Sequence, residues 1–174
     1  MTKLLFLSPI FKKTIWGGDK LETKYGFPCM EGTGECWSVS AHEHGMCTIN
    51  KGEYKGKTLK EIWKEHPEIF GNEYGKYGSE YPLLIKMIDA KEDLSIQVHP
   101  DDEYAREHVA GSLGKMECWY ILDCKENASI IIGHHAKDAE EMKEMIDQKK
   151  WKEFLREIPI KKGDFFQINP GCLD

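Results

Sequence analysis

The sequence predicts a mainly β fold with helical insertions, contained in a single domain. Short segments that run apolar, or alternate apolar and polar residues, recur along the chain and are separated by turn-forming residues. Few stretches show the 3.6-residue periodicity of a helix. With 174 residues, 40% of them hydrophobic, the chain is long enough for one ordinary domain with a sizeable core. We therefore expect one domain over residues 1–174.

Net charge and composition disfavour some classes of function. A net charge of −6 and a pI near 5.7 disfavour a general nucleic-acid or anionic-membrane binder, because such proteins need clustered positive charge. No run of about eighteen apolar residues is present, and Met1–Pro9 is too short for a signal peptide. We therefore expect a cytoplasmic protein without nucleic-acid or membrane partners, in which the six cysteines are reduced.

The first fifty residues predict strands. Leu4–Gly18 is an apolar segment that ends in a turn, and Pro9 restricts any strand there to the edge of a sheet. Gly34–Asn50 alternates well enough to form two strands around a turn at Gly45. Both segments therefore favour sheet over helix.

The middle of the chain predicts one clear helix, a loop and a buried strand. Thr58–Phe70 begins with a threonine that can cap the helix, and Glu61 completes a capping box ahead of an apolar stripe. The glycine-spaced stretch Gly71–Glu80 predicts a flexible loop. Pro82–Asp89 is almost continuously apolar, which indicates a strand buried on both faces. Lys86 is the exception in it, and either reaches solvent or serves a site.

The second half predicts helices between further strands. A short helix over Asp101–Ala110 is capped by its aspartate and closed by Gly111. Glu117–Asp123 and Ser129–Gly133 are predicted strands, joined by a turn. Asp138–Ile158 is predicted to be helical, with a break near its middle.

Two pairs of polar residues have the spacing of side chains on one face of a strand. Gln97 and His99 are two residues apart, and so are Lys115 and Glu117. If these segments are neighbours in one sheet, the four polar groups converge. Imidazole nitrogen, carboxylate oxygen and amide oxygen suit zinc, whereas a cation would repel the ammonium. Lys115 is therefore interpreted as a substrate residue rather than a ligand.

Other interpretations of such pairs stay open at this point. An isolated pair of this kind is more often a solvated strand face than a metal site. His42 and His44 also form an i, i+2 pair, but they lie among turn residues and rank below Gln97 and His99 as candidate ligands.

Four separated motifs, in order, resemble type I mannose-6-phosphate isomerases, and the short bacterial form most of all. They are I-W-G-G, G-E-C-W-S-V-S, S-I-Q-V-H-P-D-D and G-K-M-E-C-W-Y, which begin at residues 15, 34, 95 and 114. The resemblance extends from Leu7 to about Gly171. It implies a cupin-like jelly roll or β-barrel and the interconversion of mannose 6-phosphate and fructose 6-phosphate through an enediol.

The resemblance also implies roles for particular residues. Lys115 and Glu117 are the expected catalytic residues, and Ser95, Lys115 and Trp16 are expected to bind substrate, Ser95 through the phosphate. An indole beside two glycines can wall a sugar pocket, although packing is its commoner role. Zn²⁺ is expected to be held by four residues: Gln97, His99, Glu117 and Asp174.

The C-terminal segment departs from the family. Lys162–Asp174 has the layout of the second cupin motif, but Asp174 stands where the family has a metal-binding histidine. A carboxylate oxygen can also bind zinc. The family enzyme continues beyond this segment, through the rest of its barrel and an arginine implicated in catalysis. We therefore expect an incomplete barrel whose unpaired strand edges favour self-association.

Two alternatives belong to other classes of protein. The lost histidine also fits an inactive fragment that binds metal or a sugar phosphate without turnover. A cupin oxygenase that uses iron is permitted by the fold layout, but Q-x-H in place of H-x-H disfavours it.

Overall fold

The computed structural model of the protein describes residues 4–109 and 113–174. The chain divides into two compact units, the first ending at Leu94 and the second running from Ser95 to Asp174. Two compact units do not by themselves decide the number of domains, so the single domain expected over residues 1–174 stays a prediction. Strands account for 30% of the residues and helices for 24%, and the described strands do not close a barrel. The predicted mainly β fold with helical insertions is therefore confirmed.

The first unit consists of short strands and short helices. Its strands β1 to β7 are, in order, Phe6–Ser8, Ile10–Lys13, Thr33–Val39, Ala41–His42, Gly45–Met46, Thr48–Lys51 and Ile85–Ile88. Its helices are α1 (Lys20–Thr23), α2 (Leu59–Glu65) and α3 (Glu73–Tyr77), with a 3-10 helix at Pro67–Phe70.

Strand β3 is the centre of a three-stranded antiparallel sheet in the order β2-β3-β7. Pro9 separates β1 from β2, and β2 lies at the edge of this sheet, as expected for a strand beside a proline. The segment predicted as two strands, Gly34–Asn50, contains four short strands instead. Strands β4 and β5 pair across a tight turn, with His42 opposite Gly45.

Helix α2 begins as its sequence predicts. The Thr58 hydroxyl accepts a hydrogen bond from the Glu61 backbone N–H, and the Glu61 carboxylate accepts one from the Thr58 backbone N–H, so the capping box is complete. Ile62 and Trp63 face inward and are almost fully buried. Ile62 packs with Ile49 in the core of this unit.

Two predictions for the first unit are wrong. Gly71–Glu80 contains helix α3 rather than only loop. Its Tyr74 packs against Trp63, with ring centroids 5.3 Å apart, and this contact stabilises a helix that three nearby glycines disfavour locally. Pro82–Asp89 is a strand over Ile85–Ile88 alone, and Ile85 and Ile88 are half exposed rather than buried.

The second unit brings together strands that are distant in the chain. Its strands β8 to β11 are Glu117–Tyr120, Ser129–His134, Leu155–Pro159 and Phe165–Ile168. Its helices α4 to α6 are Asp102–His108, Ala139–Asp147 and Trp151–Phe154. The two antiparallel pairs are β8 with β11 and β9 with β10.

Two of the three helices of the second unit, α4 and α5, begin at their predicted caps. The Asp101 carboxylate accepts a hydrogen bond from the Tyr104 N–H at 2.8 Å, and Asp138 caps α5 in the same way. The predicted end of α4 at Ala110 and Gly111 lies outside the described residues. The predicted helical span to Ile158 is wrong at its end, because the chain becomes strand β10 after Phe154 and pairs with β9.

No helix in the described ranges is long and apolar enough to cross a membrane. The longest, α5, has nine residues, whereas a membrane-spanning helix needs about 20.

Candidate metal centre

The candidate site lies where three segments of the second unit meet. His99 belongs to an extended segment, Glu117 is the first residue of β8, and Asp174 follows the buried Leu173. The predicted strand around Gln97 is only a short pairing: Gln97 and Asp174 exchange both backbone hydrogen bonds, at 2.7 and 3.0 Å. Residues paired in this way project to the same face, so Gln97, His99 and Asp174 share a face.

In this region, atoms of three side chains that can bind a metal lie close together. One ligand atom each from His99, Glu117 and Asp174 lies within 4.8 Å of the other two. His99 Nε2 and Glu117 Oε1 are 3.8 Å apart, and both side chains are largely buried. In the part of the chain that the structure describes, no other group of three or more His, Cys, Asp and Glu side chains is this close.

The Lys115 ammonium lies between two of these side chains. Its Nζ is 2.8 Å from His99 Nε2 and 2.6 Å from Glu117 Oε1. The sequence expectation that Lys115 and Glu117 would project together is therefore met. Burial raises the pKa of the Glu117 carboxyl, but the hydrogen bond and positive charge of Lys115 outweigh burial and hold that pKa below its usual range.

Asp174 has the opposite electrostatic environment. Its Oδ1 is buried and has no hydrogen-bond partner among the described residues. Burial raises the pKa of the Asp174 carboxyl, and the neighbouring Glu117 charge raises it further. A buried polar atom without a partner is costly, so this oxygen is suited to a ligand such as a cation.

The other predicted ligand and substrate residues of this unit are more exposed. The Gln97 side-chain amide donates a hydrogen bond to the Ser95 carbonyl at 3.4 Å, and both residues are solvent-exposed. Gln97 shares a face with His99, but its role as a ligand stays a prediction. The role of Ser95 in phosphate binding stays a prediction as well.

Trp16 lies in the first unit, where its indole has a packing contact. A Cβ atom placed on Gly34 would lie 2.5 Å from the Trp16 ring, so the ring is seated directly against this glycine. Likewise, a Cβ on Gly17 would lie 2.4 Å from the Gly32 carbonyl oxygen. The I-W-G-G motif is thus explained in part by close backbone packing. The role of Trp16 in substrate binding stays a prediction.

Lys86 belongs to a polar cluster that the sequence pattern did not reveal. The Glu35 carboxylate accepts hydrogen bonds from Lys86 at 3.1 Å and from the Trp37 indole at 2.7 Å. Lys86 and Lys12 both lie about 5 Å from the centre of the Trp37 ring. The cluster arises because β3 pairs with β2 on one side and β7 on the other, and this register cannot be read from one strand alone.

The competing pair, His42 and His44, has one carboxylate nearby, since His44 Nε2 lies 3.8 Å from Glu43 Oε1 and both side chains are exposed. His42 Nδ1 accepts a hydrogen bond from the His44 backbone N–H at 3.2 Å, and the two rings lie 5.1 Å apart on an exposed turn. They form no candidate metal group within the described residues.

Known proteins match both the sequence and the fold. The family profile described as "Phosphomannose isomerase type I, catalytic domain" matches residues 4–112. The Bacillus subtilis protein named "Probable mannose-6-phosphate isomerase GmuF" is 53% identical over 174 residues, covering 99% of this chain and 54% of the relative. The mannose-6-phosphate isomerase of Streptococcus mutans is 46% identical with the same coverage. The chain therefore spans about half the length of the curated relatives it matches.

Solved structures agree with these sequence matches. The crystal structure of the mannose 6-phosphate isomerase from Bacillus subtilis has a TM-score of 0.93 and 53% identity, and the match covers 97% of this chain and 53% of that one. A zinc-bound mannose 6-phosphate isomerase, at 14% identity and a TM-score of 0.71, shares the fold. These structural neighbours define a protein of the cupin fold class.

The sequence match identifies the family within that fold class. Because the family profile covers well over half of the chain, the chain belongs to the type I phosphomannose isomerases. The predicted resemblance is confirmed, and so is the assignment to an isomerase family.

Proposed function

We propose that this chain binds zinc through His99, Glu117 and Asp174 and contributes this site to the interconversion of mannose 6-phosphate and fructose 6-phosphate. The observation that carries the proposal is the convergence of the three ligand atoms within 4.8 Å, in a chain of the isomerase family. Gln97, on the same face, is the proposed fourth ligand. The protein is proposed to work in the cytoplasm.

The residues present fit zinc. One imidazole nitrogen and two carboxylate oxygens are donor atoms that zinc accepts, and a site with few protein ligands can keep a position for water or substrate. The unpartnered, buried Oδ1 of Asp174 gains a partner when a cation binds. The relative whose structure contains zinc supports this choice of metal.

Zinc, when bound, would supply a positive charge beside the sugar oxygens on which negative charge develops during the reaction. The residues of the chain supply the rest of the proposed site. The isomerisation moves a proton between C1 and C2 of the sugar, so a group that can donate and accept protons must lie beside these carbons. Lys115 is proposed for this role or for holding a sugar oxygen, and Ser95 for binding the phosphate.

Proton exchange at C2 is the most direct test of this function. Zinc-supplemented protein, shown to be folded by circular dichroism, is incubated with mannose 6-phosphate in heavy water and followed by proton NMR. Loss of the C2 proton signal, or the appearance of fructose 6-phosphate, is the expected result. Lys115→Met should abolish the exchange, whereas Lys137→Met, on exposed surface of the same unit, should leave it unchanged.

Asp174 favours one second candidate function. A carboxylate in place of the family histidine adds negative charge beside Glu117, which suits cation binding but leaves the site different from that of its relatives. The chain would then bind zinc and the sugar phosphate without turnover. Zinc-dependent binding of mannose 6-phosphate, measured by calorimetry, without proton exchange at C2 would identify this function.

A further inference from the structure

The Lys115 ammonium contacts the same atoms that a zinc ion would need. Nζ lies 2.8 Å from His99 Nε2 and 2.6 Å from Glu117 Oε1. Nε2 has one lone pair, which cannot accept a hydrogen bond and bind a metal at the same time. A lysine ammonium has three N–H donors and no acceptor, so its contact with Nε2 uses that lone pair. Lysine and zinc are therefore alternative partners of His99.

The ammonium also holds its two partners close to the spacing that a metal requires. Two ligands about 2.1 Å from a tetrahedral zinc ion lie about 3.4 Å apart, and His99 Nε2 and Glu117 Oε1 are 3.8 Å apart. Without a positive charge among them, the carboxylates of Glu117 and Asp174 would repel each other at short range. The Lys115 ammonium, 2.6 Å from Glu117 Oε1, supplies that charge.

We propose that Lys115 is a displaceable internal cation of this site. It neutralises Glu117 and keeps His99 and Glu117 together, and zinc binds only when the lysine side chain leaves His99 Nε2. The Lys115 side chain is 41% exposed, so its flexible stem has solvent to move into. The displaced ammonium is then free to face a bound substrate. This inference rests on the zinc site proposed above.

A simple structural ion pair predicts the opposite effect on metal binding. If Lys115 only positioned His99 and Glu117, its removal would leave the ligands less ordered and weaken zinc binding. If Lys115 competes with zinc, its removal frees the lone pair of His99 Nε2 and leaves the negative charge uncompensated, so zinc binding becomes tighter. The sign of the change in affinity therefore separates the two roles.

The test compares zinc affinity and metal-free stability in Lys115→Met and in the wild-type chain. Affinity is measured by competition with a chromophoric chelator, and thermal unfolding is followed by circular dichroism with and without zinc. We expect zinc to bind roughly tenfold to a hundredfold more tightly to Lys115→Met, about 1.4 to 2.8 kcal/mol. The metal-free variant should unfold at a lower temperature than the wild type, and added zinc should remove that difference.

Two further variants keep the test decisive. Lys137→Met removes an exposed ammonium that pairs with Glu141 in the same unit and should change neither quantity. Lys115→Gln keeps a hydrogen-bond donor for Glu117 and replaces Lys115→Met if that variant does not fold. It should also bind zinc more tightly than the wild type.

The outcomes distinguish this inference from the proposed function. Equal or weaker zinc binding by both Lys115 variants would overturn the displacement model while leaving the zinc site intact. Zinc binding by neither the wild type nor the variants would overturn the site and this inference together. Binding by the variants alone would show that zinc does not displace Lys115, which would overturn both the displacement model and zinc binding by the wild-type chain.

Discussion

Replacing His99 with alanine tests the candidate metal centre most directly. The change removes the only nitrogen among the three clustered ligands and creates no new charge. Zinc binding to a structural site with four ligands is worth about 10 to 16 kcal/mol, so one ligand accounts for roughly 2.5 to 4 kcal/mol. We therefore expect His99→Ala to weaken zinc binding by about a hundredfold to a thousandfold.

The assay is zinc content after dialysis against a weak chelator, together with a dissociation constant from a competition titration. His108→Ala is the matched control, because His108 is an exposed histidine of α4 in the same unit and contacts Tyr104, through ring stacking and through Nδ1 at 3.1 Å from the backbone carbonyl. The control should bind zinc as the wild type does. If His99→Ala kept the zinc content and affinity of the wild type, the assignment of His99 as a ligand would be wrong.

Three further predictions concern stability and reactivity, and a fourth concerns assembly. Trp63→Phe should lower the free energy of unfolding by about 2 to 3 kcal/mol in urea, because it loses buried volume and the indole hydrogen bond to a backbone carbonyl. Hydrogen bonds from the Thr58 backbone N–H and hydroxyl lower the pKa of Glu61. The stability that this cap adds should therefore be present at neutral pH and lost on acidification through the lowered pKa, so wild type and Glu61→Gln should become equally stable once the pH falls below that pKa. Iodoacetamide at neutral pH should label the exposed Cys118 in the folded protein, but not the two thiols whose pKa is raised by burial, Cys36 and Cys47. Light scattering should show a dimer or larger species, because half-exposed apolar residues lie on β7 and β11, which pair on one side only among the described residues.

Each of these predictions has an outcome that contradicts it. Trp151→Phe, at a tryptophan that is 43% exposed, is the control for Trp63→Phe, and an equal loss in both would show that burial is not the cause. A constant stability difference between wild type and Glu61→Gln over the whole pH range would exclude the cap carboxylate as its source. Equal labelling of all six thiols in folded protein, or a monodisperse monomer, would refute the other two.

Local signals in the sequence predicted where α2, α4 and α5 begin and that Lys115 and Glu117 project together. The caps at Thr58, Asp101 and Asp138 depend on residues within three positions of one another, so a short stretch contains the information. The pairing of Lys115 with Glu117 follows from a two-residue spacing in the same way. The contact between Lys115 and His99 depends on two segments meeting, and the two-residue spacing within each segment does not determine whether they meet.

Contacts between distant segments explain what could not be predicted. Helix α3 forms within a glycine-spaced stretch because Tyr74 packs on Trp63, eleven residues earlier. The chain switches from helix to strand at Leu155 because β9 pairs with it there. The Glu35 and Lys86 pair depends on the register of β3 with β7. In each case the residue or strand that stabilises the observed structure lies too far along the chain for a short stretch of sequence to reveal it.

The pairing of Gln97 with Asp174 also determines when the metal centre can form during folding. His99 and Glu117 are near neighbours in the chain, but Asp174 follows His99 by roughly 75 residues, and closing a loop of that length has an entropic cost of about 4 kcal/mol. The three ligands therefore meet only after the intervening strands and helices have become ordered. Such a site contributes little to nucleation, and metal bound there would chiefly slow unfolding of the finished unit.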